Sequence, residues 1–179
     1  MLYDLQGEEK MSTIVGMLYG AVKENSQRLK SISEGMSQEE IDYKGPDNKF
    51  NSAAQLIKHI IYVDLNWVYR IKGETLPQSL KDEYGPMIDE HNRLPMVTGM
   101  PLDTLISKYE VVLNMLKETC TQLTDADLDN IVAFGHENEK QATIRWGLWH
   151  MADHNRYHQA HINQLRKWYA EQRRGMDHG

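Results

Sequence analysis

Eight of the 179 residues are histidine, and four of them, His150, His154, His158 and His161, fall within one stretch of twelve. On a helix at about 100° per residue, with His150 as zero, the others project at roughly 40°, 80° and 20°. Leu165, Met151, Ile144 and Ile162 fall at roughly 60° to 120° on the same wheel, so the histidine ridge overlaps an apolar face. Several imidazoles stacked there repel one another if protonated and lack acceptors if neutral. A divalent ion removes both problems by taking an unprotonated nitrogen from each ring. The i, i+4 spacing of His154 and His158 lets one helix face place two imidazoles on a single ion. A mononuclear catalytic site then wants a third ligand and an open position. His59 is the candidate, because it lies beside a second apolar stripe, Leu56, Ile60, Val63 and Trp67. A lone histidine in such a place is more often a satisfied core residue, and the cluster is what shifts the balance towards metal binding by His59, His154 and His158.

The remaining candidates are weaker. His91 and His136 fall in expected loops and His178 in the tail, where a solvated side chain is the simplest reading. Cys120 continues an apolar stripe and reads as an inert core thiol. Trp67, Trp146, Trp149, Tyr157 and Trp168 read as core or interface residues, with some able to line a pocket. There is no His-Glu-x-x-His, no Glu-x-x-His pair of the di-iron kind and no glycine-rich phosphate loop.

Composition narrows the class. With 20 Lys+Arg against 26 Asp+Glu, the net charge is −6. An acidic chain without a basic stripe makes a poor nucleic-acid ligand, since backbone affinity comes from Lys and Arg. The single cysteine excludes an internal disulfide framework and a cysteine-based zinc knuckle, and fits a reducing cytoplasm. No run is long and apolar enough for a membrane span, and residues 1–10 lack the layout of a signal peptide.

The elements that must position the histidines are helices. All five prolines lie between Pro46 and Pro101, leaving both flanks free of that helix breaker. The first helix is expected over about 9–34, with Ile14, Met17, Leu18, Ala21, Val22, Leu29 and Ile32 as its apolar stripe. A short turn follows near 37–41. The second helix is expected from Asn51 or Ser52 to Gly73. The third starts at Pro101 and carries Leu102, Leu105, Tyr109, Val112, Leu116 and Leu123. The fourth runs over about 143–171. No run sustains period-two alternation, which predicts essentially no sheet. Four such stripes close most simply into an all-α four-helix bundle, a single domain over 1–179. The 74–100 connection is long for a bundle, a length that goes with function or mobility.

The run Ser52-Ala-Ala-Gln-Leu-Ile-Lys-His59-Ile, followed by His150-Met-Ala-Asp-His154-Asn-Arg-Tyr-His158-Gln-Ala-His161 and on to Arg166, resembles the DinB-like superfamily, which includes the YfiT-type metal-dependent hydrolases. The resemblance spans nearly the whole chain, including the Leu-Thr-Asp-Ala-Asp-Leu turn at 123–128. It implies an up-down-down-up bundle, commonly a homodimer, with one divalent ion, often nickel or zinc, on His59, His154 and His158. Family members often continue the last histidine as His-Arg-Gly-Gln, whereas this chain has His158-Gln-Ala-His161. His150 and His161 are thereby extra imidazoles one turn either side of the pair, candidates for supporting ligands, a replacement ligand or a general base. Asn66, two turns beyond His59, is a further supporting candidate.

Two functional classes follow, with an empty helical bundle as the plainest alternative. One is a metal-dependent hydrolase, or a transferase using a low-molecular-weight thiol, acting on a small molecule. The other is a stress-linked, dimeric metal-binding bundle without turnover, favoured by a closed site with His150 or His161 as fourth ligand.

Overall fold

A computed structural model describes residues 2–177, apart from the side chains of His136 and Asp177. Six helices carry most of the chain: α1 (Thr13–Ser33), α2 (Gln38–Asp42), α3 (Ala53–Lys72), α4 (Gln78–Tyr84), α5 (Leu102–Gln122) and α6 (Ile144–Asp177). The start of α3 is fixed by a reciprocal cap. Ser52 Oγ accepts from the Gln55 amide at 3.2 Å while Gln55 Oε1 accepts from the Ser52 amide at 3.0 Å, satisfying donors that the helix itself leaves open. Its end is set by Gly73, whose φ of 68° is a left-handed cap that glycine adopts without a Cβ clash.

The four long helices pack around one core in the cyclic order α1, α6, α3, α5. Their relative directions follow from the contacts. Asn25 donates to the Ala152 carbonyl and Arg166 to the Ile32 carbonyl, so α1 and α6 run the same way. Trp67 meets Trp146 while His59 meets His154 and His158, so α3 opposes α6. Lys30 pairs with Glu110 and Ser12 donates to the Leu123 carbonyl, so α1 opposes α5. Leu29, Ile57, Ile60, Trp67, Leu105, Leu116 and Leu148 fill the centre.

Three expectations need correction. The chain is not free of sheet: β1 (Ile131–Phe134) and β2 (Lys140–Thr143) form an antiparallel hairpin with Ile131 opposite Thr143. Its Phe134 ring packs at 5.3 Å from Trp67 and 5.2 Å from Trp146, closing the base of α6. The stripe expected for α1 is rotated. Ile14 and Met17 are exposed, and the buried face is Val15, Tyr19, Val22 and Leu29 interleaved with Gly16, Gly20, Asn25 and Ser26. Gly16 and Gly20 are buried because the backbone of 5–7 lies directly against them, which only a face without large side chains permits. The 74–100 segment is also no bare loop. It contains α4, buries Leu76, Tyr84 and Val97, and is tied to α3 by Gln55 donating to Leu94 and Pro95 carbonyls and by Lys58 donating to that of Gly85.

Among the described residues, no helix is long and apolar enough to cross a membrane.

Candidate metal centre

His59 lies in the second turn of α3, held by the cap at Ser52, and faces the middle of α6. Its Nε2 is 3.1 Å from Nε2 of His154, which is 3.0 Å from Nε2 of His158. All three ligand atoms lie within 4.8 Å of one another. Nitrogens bound at about 2.0–2.1 Å on tetrahedral directions sit roughly 3.3–3.4 Å apart, so the two contacts of His154 Nε2 lie within a few tenths of an ångström of what one ion requires.

The protonation state suits ligation. Burial lowers the pKa of His59, and burial first and the neighbouring rings second push His154 down to about 3 and His158 to about 4. All three rings are therefore neutral near pH 7. Each neutral Nε2 carries either one proton or one lone pair, so hydrogen bonds between the rings cannot satisfy three converging nitrogens together. A cation satisfies all three at once. The three Nδ1 atoms are buried with no protein partner among the described residues. They carry the proton when Nε2 binds, and no carboxylate takes it, unlike many histidine–metal sites.

The other expected participants are distributed along the ridge. His150 is half-buried and stacks on Trp146 at 4.6 Å with only 8° between the planes, with its ring 5.5 Å from that of His154. His161 is exposed and meets Tyr157 edge-on, its ring 5.9 Å from that of His158. Neither joins the group of converging nitrogens. Asn66 spends its amide on the Tyr62 carbonyl of its own helix at 2.7 Å, away from the cluster. His91 is exposed beside Glu90. The side chain of His136, and His178 as a whole, lie outside the described residues. Of the aromatic residues, Trp67 is core, whereas Trp146, Trp149 and Tyr157 are exposed on α6. Cys120 is buried, which raises its thiol to about 12 and leaves it inert.

Sequence reasoning overlooked a polar network behind the histidines. Tyr109 donates to Oδ2 of fully buried Asp64 at 2.9 Å, and Asn155 donates to the Tyr109 hydroxyl at 2.6 Å. Gln159 donates to Oδ1 of Asn155 at 2.7 Å and to the Asn25 carbonyl at 2.8 Å. Burial drives Asp64 up to about 8, so its carboxyl is held neutral. The signal was present: Asp64 interrupts the apolar run Tyr62–Leu65, and Asn155 and Gln159 sit at i, i+4 on the core side of α6. The network braces the helix that carries His154 and His158, each adjacent in sequence to one of its members.

The structure thus defines a mostly helical protein with three half-buried, neutral histidines converging between two antiparallel helices. The model of the DinB superfamily matches residues 21–162, and the chain belongs to that superfamily. It is also 47% identical over 165 residues to the uncharacterized protein YkkA of Bacillus subtilis (strain 168), a match covering 92% of this chain and 93% of that one.

Proposed function

We propose that this chain holds one divalent ion, nickel or zinc, on His59, His154 and His158, and that it is a metal-dependent hydrolase or thiol-dependent transferase acting on a small molecule. The observation that carries this reading is the convergence of three neutral Nε2 atoms with no fourth protein ligand among the described residues. Three ligands and an open position are the mark of a catalytic rather than a structural site. An ion held by three neutral rings keeps its full charge and supplies Lewis acidity, lowering the pKa of water or a thiol and polarising a carbonyl.

The chain's own residues do the rest. The Ser52–Gln55 cap and the 74–100 segment fix the height of His59, and the Asp64–Tyr109–Asn155–Gln159 network fixes the rotation of α6. His150 stands 5.5 Å from the ring of His154 at half exposure, and would be the group that exchanges a proton with a substrate. The helix directions support the up-down-down-up four-helix bundle of the family. Exposed Trp146, Trp149 and Tyr157 on α6 support a homodimer, and the sequence fits a cytoplasmic protein.

The test is the absorption spectrum of cobalt(II)-loaded protein titrated with 2-mercaptoethanol. A thiolate charge-transfer band that appears and saturates is expected from an open position. A loaded protein whose spectrum ignores thiol, azide and water exchange would mean a closed site, and the non-catalytic metal-binding reading would replace this one.

A further inference from the structure

One turn beyond the histidines, on the same side of the bundle, lies a cavity of about 240 Å³. Leu56 and Leu165 form its floor, both almost fully buried, and the rings of Phe50 and Trp168, packed on each other at 4.7 Å and tilted by 43°, form one wall, with Asn51 and Gln164 at the rim. Its wall also includes His161, whose ring is 5.9 Å from that of the ligand His158. Leu56 stands one turn before His59 on α3, as Leu165 stands two turns after His158 on α6. The cavity therefore neighbours the candidate metal centre across His161, and both helices that build the centre also build the cavity.

Its size and lining select an occupant. A dry apolar cavity of about 150 Å³ accepts benzene, whereas drug-sized ligands need roughly 300–1,000 Å³. The cavity fits one ring with a short spacer. One aromatic wall over an aliphatic floor favours a planar face, through offset or edge contacts of ring on ring. No charged side chain lines it, so nothing offsets the desolvation of an ionic group there.

We propose that this cavity is the substrate's specificity pocket, and that it takes a single aromatic ring joined by a short spacer to the carbonyl or thiol that faces the histidines. The inference rests on the metal-site reading above and goes beyond it by naming the substrate class: small aryl-alkyl carbonyl or thiol compounds.

The experiment compares two metal-binding probes that share a head group, propanohydroxamate and 3-phenylpropanohydroxamate, on cobalt(II)-loaded protein, with affinity read from the visible spectrum. Burial of one ring predicts binding at least about tenfold tighter for the phenyl compound. That preference should vanish in Phe50→Ala, which trims an exposed loop residue, and in Gln164→Trp, which fills the cavity from its rim. Cobalt uptake should be unchanged in both. Equal affinities in a protein that takes up cobalt would overturn the pocket and leave the metal site standing. So would a phenyl preference that survives both substitutions, which would put the ring elsewhere, for instance on Trp149 or Tyr157. Failure to take up cobalt at all would overturn the metal site, and this inference with it.

Discussion

Replacing Asp64 by Asn tests the buried network that holds α6 in place. In the folded chain Asp64 is fully buried and its pKa is near 8, whereas an unfolded Asp titrates near 3.8. Between these values the folded state keeps a proton that the unfolded state has released, so stability falls as pH rises. The slope is about 1.4 kcal/mol per pH unit for one group, flattening as pH passes the folded value. From pH 5 to pH 8 the cost reaches about 4 kcal/mol. Asn cannot ionise, keeps an oxygen for the Tyr109 hydroxyl, and has nearly the same shape. The difference in unfolding free energy, Asp64→Asn minus wild type, should therefore climb by about 4 kcal/mol in favour of the variant over that range. Urea unfolding of both proteins with a chelator present, at pH 5, 6, 7 and 8, measures it, and taking the difference cancels every other titrating group. A difference that stays flat with pH would show that Asp64 ionises normally in the folded protein, and the argument from burial would fail.

Two further outcomes follow from the site and its support. The metal-free protein should also respond to His154: below pH 6.5 the unfolded chain takes a proton that the folded chain refuses, so stability falls as pH drops, by about 2 kcal/mol from this residue at pH 5. Urea unfolding of His154→Leu should lack that increment, and parallel curves for variant and wild type would refute it. Gly147→Ala would put a Cβ 2.6 Å from Cζ3 of buried Trp67. Overpacking against a fixed ring should outweigh the gain in helix propensity and lower stability by about 1–2 kcal/mol, whereas a raised urea midpoint would contradict the close approach.

The helices and the histidine cluster were legible because both are local patterns. On the wheel of α6 the core centre lies near Met151 and Ile162, with His150, His154 and His158 half-buried and His161 exposed. The periodicity that revealed the ridge does not rank its members; a third ligand from α3 is what separates the converging pair from its neighbours. Long-range causes were less visible. The rotated face of α1 depends on the backbone of residues 5–7 lying over Gly16 and Gly20, which no count of apolar residues in α1 can show. The β1–β2 hairpin is four residues a side, too short for alternation to stand out, and it persists because Phe134 packs on two tryptophans. The Asp64 network joins α1, α3, α5 and α6 through scattered groups: Asp64, Asn155 and Gln159 look like interruptions in their own helices, and Tyr109 reads as one more member of the α5 stripe.

The metal content of untagged protein by elemental analysis, measured beside His59→Ala and His158→Ala, is the sharpest test of the three-histidine metal centre. The wild type should carry close to one nickel, zinc or similar ion per chain, and either variant should lose it. A wild-type protein that stays empty after exposure to excess divalent metal would contradict the metal centre.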